Sequence, residues 1–142
     1  MRLYLERIAK LKKDIARIRE EKKTKKNKKF NTNEKIMINF INAVTKYAEF
    51  EVGSQKIILR VGDENKGFRH ILEAHYCPGC PGEISTMEIL NMIDIMKKGI
   101  KLENEGVSNS DLVVYLRTKT QEKLVLKPTS SGAFIVTAYS IC

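Results

Sequence analysis

Few side chains in this sequence can move protons, and only two of them are histidines, His70 and His75. On a helical wheel His70 shares the polar side with Lys66 and Glu73, whereas His75 joins the apolar stripe of Phe68, Ile71 and Leu72. An imidazole offered to solvent titrates near neutral pH, as a general acid or base must, and Lys66 and Arg69 beside it can hold a phosphate. The same spacing also describes an ordinary surface histidine at 70 and a packing histidine at 75. The closing run Ala133 to Tyr139 carries a second constellation. Strict alternation places Ala133, Ile135, Thr137 and Tyr139 on one face and Phe134, Val136 and Ala138 on the other. With the Phe134 face as core, the Thr137 hydroxyl and Tyr139 phenol stand together on the opposite face, although both are also plain sheet formers. Cys77-Pro-Gly-Cys80, with His75 before it and Cys142 at the end, can supply a Cys₃His zinc set, a labile or redox disulfide, or unbonded thiols. The zinc-deaminase pattern does not fit, because Ile71-Leu72 follows His70 and Tyr76 precedes the cysteine pair. P-loop, G-x-G-x-x-G, H-E-x-x-H, G-x-S-x-G and EF-hand spacings are all missing, which removes support for nucleotide-powered or metallopeptidase functions.

The elements that must position these groups follow from periodicity. Tyr4, Ile8, Leu11, Ile15 and Ile18 form one stripe on a helix spanning Leu3 to Arg19; two heptads are too few for a free coiled coil, which leaves docking on its own domain, the favoured reading, pairing with a partner, or the remnant of a longer upstream region. Glu20 to Lys29 has no apolar residue and reads as a flexible lysine-rich linker. Ile36, Phe40, Ile41 and Val44 mark a second helix that fades around Lys46 to Glu49. Lys56 to Val61 reads as a strand closed by Gly62-Asp63, and a third helix opens at Asn65 or Lys66 and runs to His75. Ser85 with Glu88 is a capping box opening a helix over Met87 to Met96, with Gly99 beyond its end. Ile100 to Leu102, Leu112 to Arg117, Lys123 to Leu126 and Ala133 to Tyr139 read as strands separated by polar turns, one of them Asn104 to Asp111. The expected fold class is α+β, with N-terminal helices packed on one face of a C-terminal antiparallel β-meander. Residues 1–30 form a basic helix and linker, and 31–142 the body.

With 142 residues, 42% hydrophobic and 30% charged, the chain has the material for one modest core. It lacks the roughly 18 apolar residues in a row of a membrane span, and the charged N-terminus does not read as a signal peptide. Residues 1–29 hold 13 Lys and Arg against four acids, so the whole formal +9 lies there and the remainder is balanced. A polybasic arm fits a polyanion such as nucleic acid or a membrane surface, and also a solvated charge run. Three cysteines fit a reducing compartment better than a disulfide-stapled secreted protein.

Gly67-Phe-Arg-His-Ile-Leu-Glu-Ala-His75, the capped Ser85-Thr-Met-Glu-Ile-Leu90 helix, the meander and Gly132-Ala-Phe-Ile-Val-Thr-Ala-Tyr139 resemble the barnase, EndoU, colicin and RelE-like ribonuclease superfamily. The likeness covers roughly Asn33 to Cys142 and is nearest to phage-associated and contact-dependent growth inhibition toxin domains. The resemblance implies a metal-independent endoribonuclease toxin without a cofactor, cleaving RNA, transfer RNA above all, by 2′-hydroxyl attack to leave a cyclic phosphate. It carries His70, Thr137 and Tyr139 over as catalytic residues. His75 fits a second histidine of some members. Arg69, Lys66 and Arg117 are candidate phosphate clamps, and Lys127 adds to the RNA-binding surface. It also implies an immunity protein as partner and action in a bacterial cytoplasm, after secretion or injection into a target cell. The Cys-Pro-Gly-Cys insert departs from the family pattern. The alternative reading is a non-catalytic nucleic-acid-binding phage protein with a cysteine-based zinc or redox site.

Overall fold

The computed structural model describes residues 1–23, 29–102 and 112–141. In chain order the elements are α1 (Arg2–Lys23), α2 (Thr32–Ile41), β1 (Ala48–Val52), β2 (Gln55–Leu59), α3 (Phe68–His75), α4 (Thr86–Leu90), α5 (Ile93–Lys98), β3 (Ile100–Leu102), β4 (Val113–Arg117), β5 (Glu122–Pro128) and β6 (Gly132–Ser140). The strands make one six-stranded sheet in the order β1-β2-β6-β5-β4-β3. β3 to β6 are the expected antiparallel meander. The β1–β2 hairpin is added to it in parallel, with Lys56 to Ile58 beside Gly132 to Phe134.

β2 accompanies β6 only as far as Phe134. Beyond that point the chain leaves the sheet, and the connecting segment satisfies the exposed edge of β6. The Gly67 N–H donates to the Val136 carbonyl at 2.8 Å, and the Ser140 N–H donates to the Gly82 carbonyl at 3.1 Å. These two bonds hold α3 and the loop after it alongside the last strand. Gly67 has φ +86°, and a Cβ there would meet the Arg60 and Val61 carbonyls at 3.0 Å, so a side chain is strained at this turn.

The α1 stripe docks on the body. Tyr4, Leu11, Ile15 and Ile18 are buried, Ile8 packs against the same core, and Tyr4 meets Phe68 edge-on at 6.4 Å. Burying one such aliphatic side chain stabilises by roughly 1.5–3 kcal/mol. An exposed ion pair contributes at most about 1 kcal/mol, so the stripe holds the helix down and its charges do not. Arg7 adds a directed contact, donating from Nη1 to the Leu72 carbonyl at 2.8 Å and the Tyr76 carbonyl at 2.9 Å. Helix α1 thereby caps the C-terminal end of α3, where His75 sits. The Tyr76 hydroxyl lies 2.7 Å from Thr86 Oγ1. Thr86 in turn hydrogen-bonds Asp14, the main reason that carboxyl is held below its usual range.

Several elements depart from expectation. α1 runs on to Lys23, so Glu20 to Lys23 are helical; Lys23 pairs with Glu20 and Arg17 with Asp14 and Glu21, offsetting lysine repulsion. The rest of that linker, residues 24–28, and the turn Asn104 to Asp111 lie outside the described residues. β1 was not expected, because its alternation of buried Ala48 and Phe50 with exposed Glu49 and Glu51 is short. The Ser85 capping box is present, but the helix breaks at Asn91, whose side-chain amide donates to the Met87 carbonyl and to Glu34, both at 3.0 Å. α3 starts at Phe68, not at Asn65, because Asp63 Oδ1 accepts the Asn65 and Lys66 N–H groups in a turn.

Arg7→Ala is expected to lower the unfolding free energy by about 1.5–3 kcal/mol, the range for hydrogen bonds from a charged donor. Urea denaturation checks this, and a loss below about 0.5 kcal/mol, ordinary for a surface change, would show that the cap does not anchor α3.

Candidate functional site

Wheel geometry separates the two histidines; the fold brings them together. Phe68, Ile71 and Leu72 face the core, while His70 and His75 are half-buried, with ring centroids 5.4 Å apart and planes at 86°. The His75 ring stacks on Tyr139 at 5.4 Å with planes 26° apart. His75 is therefore not a member of the core stripe, a correction that follows from the loop Cys77 to Gly82 folding beneath it. Pro81 of that loop accepts a hydrogen bond from His75 Nδ1 at 2.7 Å, and the Glu64 carbonyl accepts one from His70 Nδ1 at 3.0 Å. A carbonyl oxygen only accepts, so each Nδ1 carries the proton and each neutral ring keeps its lone pair on Nε2. Burial holds the His75 pKa below the ordinary histidine value. Repulsion by His70 lowers it further, and the Pro81 bond partly opposes both.

The loop beneath His75 is tightly constrained. Cys77 and Cys80 are joined by a disulfide with Cα atoms 5.4 Å apart, which corrects the free-thiol alternative: the Pro-Gly turn sets the two cysteines within bonding reach. With both sulfurs bonded to each other they offer no thiolates, and no cluster of three or more His, Cys, Asp or Glu placed for a metal occurs among the described residues. Cys142 of the expected zinc set lies outside them. Gly82 has φ +67°, and a Cβ there would lie 3.0 Å from both His75 Nδ1 and Tyr139 Cβ. That close approach is what lets the loop, the imidazole and the phenol share one spot.

The last strand reaches this spot through a β-bulge. Leu126 opposes Ile135 but Val125 opposes Thr137, so Val136 is the extra residue. The bulge shifts the alternation: Ala133, Ile135 and Ala138 are buried in the core, and Phe134, Thr137 and Tyr139 share the other face with their cross-strand partners Lys127, Val125 and Lys123. The expectation that Phe134 faces the core is thus reversed, while Thr137 and Tyr139 do lie away from it. The Thr137 hydroxyl is enclosed and has no hydrogen-bond partner among the described residues.

The expected basic residues divide. Arg69 pairs with Glu73 at 3.0 Å in a partly buried bridge, so its charge is engaged within α3. Arg117 opposes Glu122, itself across from Ser140, and that row is on the opposite face from Lys123 and Tyr139; register therefore separates Arg117 from the imidazoles. Lys66 and Lys127 share one cavity, of about 330 Å³, with Arg60 and Phe134, two residues that sequence reasoning did not single out. The Arg60 guanidinium lies 4.4 Å above the Phe134 ring. No protein-family model, curated protein or solved structure matches this chain. None of the helices among the described residues is long and apolar enough to cross a membrane.

His75 binds a proton less readily in the folded chain than in the unfolded one, where the ordinary value is 6.5. Its contribution to stability is therefore fully present above about pH 6.5 and is lost as the pH falls through the folded value. Unfolding free energies between pH 7 and pH 5 should decrease, and His75→Gln, which keeps a donor for Pro81, should flatten part of that decrease. An unchanged slope in the variant would contradict the placement of His75.

Proposed function

We propose that this chain is a metal-independent endoribonuclease domain of the barnase, EndoU, colicin and RelE-like kind, with His70, His75 and Tyr139 at its centre. The observation that carries the reading is the pair of imidazoles in contact, each oriented by a backbone carbonyl through Nδ1 and each left with Nε2 for chemistry. Two adjoining rings of this kind supply the two proton transfers that RNA transesterification needs.

The neutral form of His75, favoured by its lowered pKa, removes the proton of a ribose 2′-hydroxyl. The oxygen attacks the adjacent phosphorus, and a 2′,3′-cyclic phosphate forms as the bond to the 5′-oxygen breaks. His70 in its protonated form gives that departing oxygen a proton. Tyr139 holds the base ring by stacking, and Lys66 and Lys127 offset charge on the phosphates. Thr137 is enclosed and is given no proton-transfer step. The outward lysines and arginines of α1 add salt-sensitive affinity for the RNA backbone. A toxin role, transfer RNA as substrate, action in a bacterial cytoplasm and a neutralising immunity protein are the further parts of this proposal, resting on the resemblance of the Gly67 to His75 and Gly132 to Tyr139 segments.

Purified protein incubated with total RNA in EDTA should give discrete fragments. His70→Ala and His75→Ala should each slow cutting by about 10²- to 10⁴-fold, the usual contribution of a general acid or base. Wild-type cutting by either variant would contradict the assignment. Intact RNA that migrates as a retarded band would favour the non-catalytic nucleic-acid-binding alternative.

A further inference from the structure

The bulge places Phe134 on the same sheet face as Thr137 and Tyr139, at the far end of the strand from the imidazoles. There it lines the cavity of about 330 Å³. The size is that of a small-molecule pocket and not of an extended groove. Its chemistry is mixed in a particular way. Arg60, Lys66 and Lys127 bring three cations to the wall, and Phe134, Pro128 and Val136 make the lining largely apolar. Arg60 is exposed, and its guanidinium carbon lies 4.4 Å from the centre of the Phe134 ring, so a cation and an aromatic ring are held together at the cavity wall. The acidic side chain nearest in sequence, Asp63, is exposed and accepts the Asn65 and Lys66 N–H groups of its own turn.

A pocket with an aromatic wall, an apolar lining and three cations selects a flat ligand that carries negative charge. We propose that this cavity is a nucleotide subsite: it takes one base of a single-stranded RNA against Phe134 and Arg60, with the attached phosphate on Lys66 and Lys127. The proposal deepens the ribonuclease reading and rests on it for the choice of RNA. Val136 lines the cavity and Thr137 follows it, while Lys66 and Gly67 line it and His70 lies on the next turn of chain. A strand of RNA lying over this face meets the subsite at one end and the imidazoles at the other. The subsite would fix which base precedes or follows the cut, a specificity role separate from proton transfer.

The test is titration of the full chain with uridine 3′-monophosphate, adenosine 3′-monophosphate and inorganic phosphate, followed by amide chemical shifts. At least one nucleotide is expected to move the Gly62, Gly67, Phe134 and Val136 signals and to bind at least tenfold more tightly than inorganic phosphate. Phe134→Leu should weaken that nucleotide by about 5- to 150-fold, the range for one lost base–aromatic stack, with little change for phosphate. Arg60→Ala, a change at an exposed position, is the second variant and should also weaken the nucleotide. Shifts confined to other parts of the chain, or phosphate binding as tightly as both nucleotides, would overturn the subsite. Nucleotide binding here without RNA cutting would leave the subsite standing and remove the ribonuclease reading; cutting without binding here would do the reverse.

Discussion

The polar backbone along the edge of β6 has to be paired, and β2 pairs only its beginning. The chain meets this demand with the segment that leaves β2, through the Gly67 N–H to Val136 and the Gly82 carbonyl to Ser140. Those two bonds hold both ends of the segment that contains His70, His75 and the disulfide loop against the strand that carries Tyr139. The stacking of imidazole on phenol is a consequence of edge pairing, not of any local preference of those side chains. Arg7, by capping α3 from α1, fixes the middle of the same segment.

Within that frame the electrostatics act on His75 in one net direction. Burial is the largest influence on His75 and lowers its pKa, and the neighbouring His70 acts in the same direction. A backbone carbonyl on each Nδ1 fixes the tautomer of both neutral rings without a carboxylate. Deeper in the sheet, Glu122 shows the opposite sign: burial raises its pKa, with Thr120 and Arg117 opposing and Glu88 and Asp94 adding to the rise. It lies on the helix-covered face and takes no part in the site.

What could be read from the sequence was what local spacing encodes. The α1 stripe, the Ser85–Glu88 box and the strands of the meander are signalled by residues within a few positions of one another. The pieces that could not be read depend on partners far along the chain. Asn91 breaks its helix by reaching Glu34, 57 residues away. The bulge at Val136 has no mark in its own run of residues, yet it decides that Phe134 faces outward. The meeting of His70 and His75 depends on a proline carbonyl in the following loop, which a helical wheel drawn for α3 alone does not contain. Thr137 and Tyr139 were placed on the outward face by a strict alternation that the strand does not keep.

The central claim is that two carbonyl-tied imidazoles drive attack by a ribose 2′-hydroxyl. The most direct measurement is the ³¹P spectrum of the product end from a short single-stranded RNA treated in EDTA, alongside the same RNA bearing one 2′-deoxy sugar at the cut. The account predicts a 2′,3′-cyclic phosphate from the first and no cleavage of the second at that position. Cleavage of the deoxy strand, or a product ending in a free 3′-hydroxyl, would contradict it.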